Sequence, residues 1–188
     1  MISAQGGYMK TLIIFTGHAR AGKDTAADFM EKEVLSKGYS FYRTALANAL
    51  KDYAYKCGWN GIKDETGRTL LQHLGDVMRE YHGKDFFSKE AYDAFLKSDM
   101  DIGIITDCRF VNEEVYIRNK CCQDGVVSRF IKVTGNHPEN STEVLTPAQL
   151  QHHSESEIDE IGYDFLIENN GTMEELRQKV HDVASKIF

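Results

Sequence analysis

Thr11-Leu12-Ile13-Ile14-Phe15-Thr16-Gly17-His18-Ala19-Arg20-Ala21-Gly22-Lys23-Asp24-Thr25 joins a short apolar run to a glycine-containing loop that ends in Gly-Lys. The run is rich in β-branched residues and reads as a buried strand. Gly17, Gly22 and Lys23 have the G-x-x-x-x-G-K spacing of a phosphate-binding (Walker A) loop. Asp24 stands where Ser or Thr is usual, and Thr25 follows one place later. Glycines let successive backbone N–H groups turn inward around phosphate oxygens. A helix starting at the same point directs its positive dipole end at that anion. Lys23 then reaches the β- and γ-phosphates, and His18, Ala19, Arg20 and Ala21 complete the cradle. Asp24 contacts a metal through water or caps the first turn, and Thr25 offers a hydroxyl to a phosphate oxygen.

Downstream of the loop, Ala26, Met30 and Val34 recur at helical spacing as far as Gly38, a suitable stop. Strand and helix patterns then alternate to the end of the chain. Strands are expected at Tyr39–Arg43, Ile102–Thr106, Arg129–Thr134 and Tyr163–Ile167. Leu46, Leu50, Tyr53 and Cys57 mark a helix closed by Gly58. After the polar stretch from Asn60 to Gly67, the next helix carries Leu70, Leu74, Val77, Met78 and Tyr81 on one face and ends at Gly83. Shorter helices are expected over Lys89–Leu96 and Asn112–Cys122. Thr146-Pro147 reads as a helix start, and Ser154-Glu155-Ser156-Glu157 has capping-box spacing. Thr172 and Glu175 form the same signature ahead of a core stripe of Met173, Leu176, Val180, Val183 and Ile187. Short strands alternating with helices imply one domain over residues 1–188. Its expected fold is α/β: a P-loop NTPase-type parallel five-stranded sheet with helices on both faces. Residues 1–8 read as a loose extension.

Composition narrows the function. The chain has 188 residues, 41% of them hydrophobic, and a net charge of −7. That balance opposes a global basic field for a nucleic acid polymer, so an anionic ligand must meet a local cluster of Lys and Arg. The four cysteines, Cys57, Cys108, Cys121 and Cys122, have no zinc spacing and suit reduced thiols in a cytoplasmic setting. No segment approaches the roughly 20 apolar residues that cross a bilayer.

A kinase also needs an acceptor site. Asp107 ends the third strand, beside the first in such a sheet, where an acid holds Mg²⁺ directly or through water. A strand-end Asp also serves commonly as a helix cap. Arg109, Asn112 and Glu113 lie just beyond. Lys51, Arg68, Gln72 and Arg79 fall in the helical region between strands two and three. The planar fork of Arg79, one turn from Gly75, suits a bidentate grip on phosphate. Tyr53, Trp59, Tyr81, Phe86 and Phe87 are aromatic candidates for stacking on a base, a role that competes with ordinary core packing.

The loop at 17–25 together with Asp107-Cys-Arg-Phe-Val-Asn-Glu113 resembles the deoxynucleoside monophosphate kinases of bacteriophages. Leu71-Gln72-x-x-Gly75-x-x-x-Arg79, His153-x-Glu155 and Ile167-Glu-Asn-Asn-Gly171 extend the resemblance over most of the chain. It implies ATP as donor, Mg²⁺, for which the residue reading offers Asp24 and Asp107, and a deoxynucleoside monophosphate as the small-molecule acceptor. It implies an acceptor-binding region at about 45–100, a lid at about 135–153, and Arg79 and Arg109 as phosphate contacts. A homodimer is the assembly to test, and the host cytoplasm is the location if the chain is phage-encoded. One departure stands out: nucleoside monophosphate kinases carry lid arginines, yet no Arg or Lys lies between Lys132 and Arg177. The lid offers His137, His152 and His153, and Arg20 is the candidate to bridge the phosphates instead. With Lys23, Asp107 and Arg109, it makes up the expected catalytic set.

A second resemblance is to the phosphomevalonate kinases of animals, through the Gly-Lys-Asp loop, Ser154-Glu-Ser-Glu and Ile167-Glu-Asn-Asn-Gly171. The Arg-Phe-x-Asn-Glu run favours the nucleotide enzymes. A GTP-binding switch fits poorly, because Asn119-Lys120-Cys121-Cys122 lacks the acid of the guanine signature. A non-catalytic nucleotide-binding module is the remaining rival.

Overall fold

The structure, a computed structural model, describes residues 9–135 and 157–188. The expected extension at 1–8 lies outside those residues. So does nearly all of the expected lid, with His137, the helix start at Thr146-Pro147, His152, His153 and Ser154.

Five strands form one parallel sheet in the order β2-β3-β1-β4-β5. They are β1 (Thr11–Thr16), β2 (Phe41–Thr44), β3 (Ile102–Cys108), β4 (Val127–Thr134) and β5 (Phe165–Glu168). The helices are α1 (Lys23–Ser36), α2 (Ala47–Lys56), α3 (Glu65–His82), α4 (Phe86–Lys97), α5 (Val111–Asp124) and α6 (Met173–Ile187), with a 3₁₀ turn at Glu157–Glu160.

β1 is central because it is apolar on both faces. Ile13 and Phe15 pack with Met30, Val34, Val180 and Ala184 under α1 and α6. Leu12 and Ile14 pack with Tyr92, Phe95, Ile117 and Cys121 under α4 and α5. Alternate residues of a strand point to opposite faces, so a strand buried on both sides must be apolar throughout.

The register slips once. Ile14 pairs with Ile105, but Thr16 pairs with Cys108, so β3 carries one extra residue near Asp107. This bulge explains why Ile105 and Cys108, three apart, share one core cluster. It also re-aims the end of β3 next to the start of the phosphate loop.

The differences from the sequence pattern have local causes. α3 starts at Glu65, ahead of Gly67, because the Asp64 side chain caps it by accepting the Gly67 N–H at 2.8 Å. α4 starts at Phe86, three residues earlier than expected, with Phe87 in the core. β5 begins at Phe165, after Asp164 has accepted the Phe130 N–H at 2.7 Å. Thr172 and Glu175 form the expected capping box, although Met173 is exposed.

Candidate active site

β1 delivers the chain to the loop at Gly17, whose φ is 136°. A Cβ there would lie 2.1 Å from the Val133 carbonyl oxygen, so both the backbone angle and the neighbouring strand require glycine. Gly22, at φ 91°, is the N-cap of α1 and has no side-chain cap. A Cβ on it would meet the Asn169 amide at 2.4 Å. Buried Asn169, just past β5, donates to the Ala21 carbonyl at 3.0 Å and so fixes the loop from across the sheet. The Ala21 N–H donates to the His18 carbonyl at 3.3 Å. Lys23 is only 8% exposed, and its Nζ donates to that same carbonyl at 2.8 Å. The expected cradle, from Gly17 to Thr25, is therefore a closed turn with its lysine folded across it. Arg20 takes a left-handed backbone, φ 66°, uncommon for a residue with a side chain.

Asp24 does not point into this turn. Its side chain is 82% exposed and lies 3.6 Å from Arg43, at the end of β2. Arg43 also holds Asp28 and, at 2.7 Å, Glu31. Three carboxylates of α1 thus converge on one guanidinium that the sequence did not single out. Desolvation is outweighed by the hydrogen bonds and charges of Asp28 and Glu31, which raise its pKa.

Asp107 sits where expected, at the end of β3 beside β1. Its carboxylate accepts the Leu46 N–H at 2.6 Å and the Ala47 N–H at 3.0 Å, so it caps the start of α2. Each oxygen takes one N–H and keeps lone-pair capacity. Among the described residues there is no cluster of three or more His, Cys, Asp or Glu side chains that would hold a metal alone.

The acceptor-side residues separate into two groups. Lys51, Arg68 and Arg109 each lie within electrostatic range of Lys63, a residue the sequence reading missed. Partial desolvation and then these three cations lower the Lys63 pKa, while Asp24 opposes them. Lys63 nevertheless stays open to solvent.

Arg79 is held differently. Its guanidinium stacks over Phe110, 4.3 Å from the ring centroid, and near Phe87 at 5.1 Å. It lies 3.6 Å from Asp76 and 3.9 Å from Glu113, while its buried Nε has no hydrogen-bond partner. Burial pulls its pKa down against both acids. A Cβ on Gly75 would stand 3.0 Å from Arg79 Nη1, so the glycine makes room for the fork.

Glu113 and Asn112 are turned to structural work. Buried Glu113 accepts the Arg109 N–H at 2.8 Å and the Phe110 N–H at 3.1 Å, closing the turn from β3 into α5. Burial raises its pKa to about 7, although these N–H groups and Arg79 pull the other way. The Asn112 amide donates to the Lys84 carbonyl at 3.1 Å and to Asp85 at 3.0 Å. Gln72 is half-buried on α3.

Of the aromatic candidates, Trp59 and Phe87 are buried, Tyr53 and Phe86 pair at 6.2 Å, and Tyr81 stands in solvent. One further contact was not foreseen. Asp159, on the 3₁₀ turn, lies 3.2 Å from His18 Nε2 and 2.9 Å from buried Lys132. It couples the phosphate loop to β4. Only the placement of Lys132 at the C-terminal end of a strand hinted at it.

No protein-family profile and no curated protein sequence matches the chain. The likeness to the phage kinases therefore stands on the motifs quoted above. Solved structures do match over nearly the whole length. The Mycobacterium tuberculosis APS kinase CysC, in complex with AMPPNP and APS, superposes with a TM-score of 0.53 at 15% identity, covering 95% of this chain and 99% of that one. A cysteine mutant of the same kinase gives 0.51 at 15% identity, with the same coverage. The protein crystallised as APE1195 gives 0.52 at 12% identity, covering 96% and 97%. At these identities the likeness is one of fold, the α/β arrangement of a parallel five-stranded sheet with helices described above.

Proposed function

We propose that the chain is an ATP-dependent kinase that phosphorylates a small molecule already carrying a phosphate, a deoxynucleoside monophosphate. The observation that carries this reading is the juxtaposition of a closed phosphate loop with a second cationic cluster. Lys51, Arg68 and Arg109 lie within electrostatic range of Lys63, as does Asp24 of the loop's own helix. A chain of net charge −7 that concentrates cations at one place is suited to an anionic ligand there. The APS kinase neighbour was crystallised with AMPPNP, which agrees with an ATP-type donor on this fold.

In this mechanism the phosphate loop's N–H groups and Lys23 bind the β- and γ-phosphates of ATP. Lys23 exchanges the His18 carbonyl for phosphate oxygens. Arg109 and Arg68 orient the acceptor phosphate, and Arg79 approaches it from α3. Arg20 supplies the bridging charge that a lid arginine gives elsewhere. Phosphoryl transfer of this kind depends mainly on positioning and charge neutralisation. The acceptor oxygen is already ionised near neutral pH, so no strong base is needed. Mg²⁺ commonly binds through one or two carboxylates plus substrate phosphates, which suits the spare lone pairs of Asp107, whereas Asp24 is turned toward Arg43 and away from that place. When bound, the ion would neutralise charge between the β- and γ-oxygens.

The test is ATP consumption with each deoxynucleoside monophosphate, the ribonucleotides and mevalonate 5-phosphate. Turnover with deoxynucleotides is expected, and Lys23→Ala should lower it on the order of 10²–10³-fold. Turnover with mevalonate 5-phosphate alone would keep the kinase and replace the acceptor. ATP binding with no turnover across the panel would leave a nucleotide-binding module.

A further inference from the structure

The 3₁₀ turn at Glu157–Glu160 makes contact with both halves of the site. It is seated by Ile158, which is fully buried, with buried Ile161 just beyond. Glu114 of α5 accepts the Gly162 N–H at 2.8 Å and ties the chain that follows the turn to the same helix. On the donor side, Asp159 divides its carboxylate between two partners. Oδ2 lies 3.2 Å from His18 Nε2, in the phosphate loop, and Oδ1 accepts from Lys132 Nζ at 2.9 Å. Lys132 is buried and pairs in register with Thr16, the last residue of β1, while its ammonium also reaches the Ile158 carbonyl at 3.5 Å. The loop residue held in this way, His18, is the one whose carbonyl accepts Lys23 Nζ and the Ala21 N–H.

On the acceptor side, Glu157 accepts the Val111 N–H at 3.2 Å. Val111 is the first residue of α5, so this N–H has no partner within its own helix. It directly follows Arg109 and Phe110, and the Phe110 ring carries the Arg79 guanidinium at 4.3 Å. Three consecutive residues thus link the phosphate loop to the turn that bears the acceptor arginine, and the middle one is locked in the core. We propose that this turn is a brace that sets the donor loop against the acceptor turn, with Asp159 and Glu157 as positioning residues for phosphoryl transfer. This role depends on the kinase reading above. Neither carboxylate is placed on the reacting atoms; each holds a neighbour of a group that is. In-line transfer gains much of its rate from the alignment of two bound reactants, so a short, anchored link between their sites acts on turnover. The Asp159 side chain is 69% exposed, and an ion pair so placed adds little to stability, so its effect should appear in alignment instead.

The test compares the wild type with Asp159→Ala, Glu157→Ala and the double variant. Glu157→Gln, which keeps an acceptor oxygen for the Val111 N–H, is the conservative control. ATP affinity is measured by calorimetry, and kcat and both KM values by initial rates with ATP and a deoxynucleoside monophosphate. Asp159→Ala should weaken ATP binding about 5- to 10-fold with little change in acceptor KM. Glu157→Ala should raise acceptor KM by a similar factor and leave ATP affinity near its wild-type value, with Glu157→Gln recovering most of the loss. Each single variant should lower kcat, and the double variant should lower it by less than the product of the two, because a brace cut at one end no longer carries alignment. Multiplying losses in kcat, equal effects of each variant on both ligands, or wild-type kinetics in either alanine variant would overturn the brace and leave the kinase reading intact. If the wild type turns over no acceptor, the kinase reading falls and amide hydrogen exchange decides the brace alone. Faster exchange of the Val111 N–H in Asp159→Ala would then uphold the link across the turn, and unchanged exchange would overturn it.

Discussion

At the scale of single residues, the phosphate loop is set by what cannot be accommodated. Gly17 sits against the Val133 carbonyl in a backbone region that side chains rarely adopt. Gly17→Ala must therefore move β4 or the loop, and should cost about 3 kcal/mol, read as a lowered midpoint in thermal or urea unfolding. The Walker spacing made this glycine legible, because the motif encodes the backbone requirement. Arg43 and Lys63 were not legible. Neither belongs to a motif, and each gains its meaning from partners distant in sequence: Arg43 from three acids on α1, Lys63 from cations on α2, α3 and the turn after β3. Asp107 was legible as a position and ambiguous as a role. Strand-end carboxylates cap helices as readily as they organise metals, and here the capping contacts with Leu46 and Ala47 are present.

At the scale of elements, α3 shows where periodicity misleads. Leu70, Leu74, Val77, Met78 and Tyr81 share a flank of the helix, and the pattern assigns that flank to the core. Instead Leu70, Val77 and Tyr81 are exposed, Leu74 and Met78 are half-buried, and the fully buried positions are Gly67 and Gly75. A helix that covers a polar site presents small residues and arginines inward, so the usual apolar signal is weak on the face that matters. Its start depends on Asp64. Asp64→Ala should cost about 1 kcal/mol, measurable by chemical denaturation. The β3–α5 turn makes a sharper prediction through Glu113. Its folded pKa of about 7 lies above the ordinary 4.5, so the folded state holds the proton more tightly than the unfolded chain. The resulting stabilisation is full below pH about 4.5 and is lost as pH rises through about 7. The swing is roughly 3 kcal/mol at most. Wild-type stability should fall relative to Glu113→Gln between pH 5 and pH 8, and parallel profiles for the two would refute the assignment.

At the scale of the whole molecule, alternation of strand and helix patterns was enough for the class of fold, since five short apolar runs separated by helices admit few parallel arrangements. The pairing of β1 with β3, which sets Asp107 beside the loop, follows from that arrangement. The bulge in β3 left no sequence signal, because nothing about Thr106 or Asp107 marks an inserted residue at the end of a strand. Charge distribution is the other global property. A protein of net charge −7 with a local cationic cluster should bind its acceptor more weakly as salt rises, as the screening length shrinks from about 30 Å at 0.01 M to about 8 Å at 0.15 M. Acceptor KM should therefore climb several-fold over that range. A flat profile would argue against an electrostatic acceptor site.

The hydrogen bond from Asn169 to Ala21 closes a span of 148 residues. During synthesis, the phosphate loop leaves the ribosome long before the residue that fixes it. The nascent chain thus carries an unfinished cradle until β5 has docked along β4. On the kinase reading proposed above, competence to hold a nucleotide would then come late, sparing the cell a half-built polypeptide that sequesters ATP.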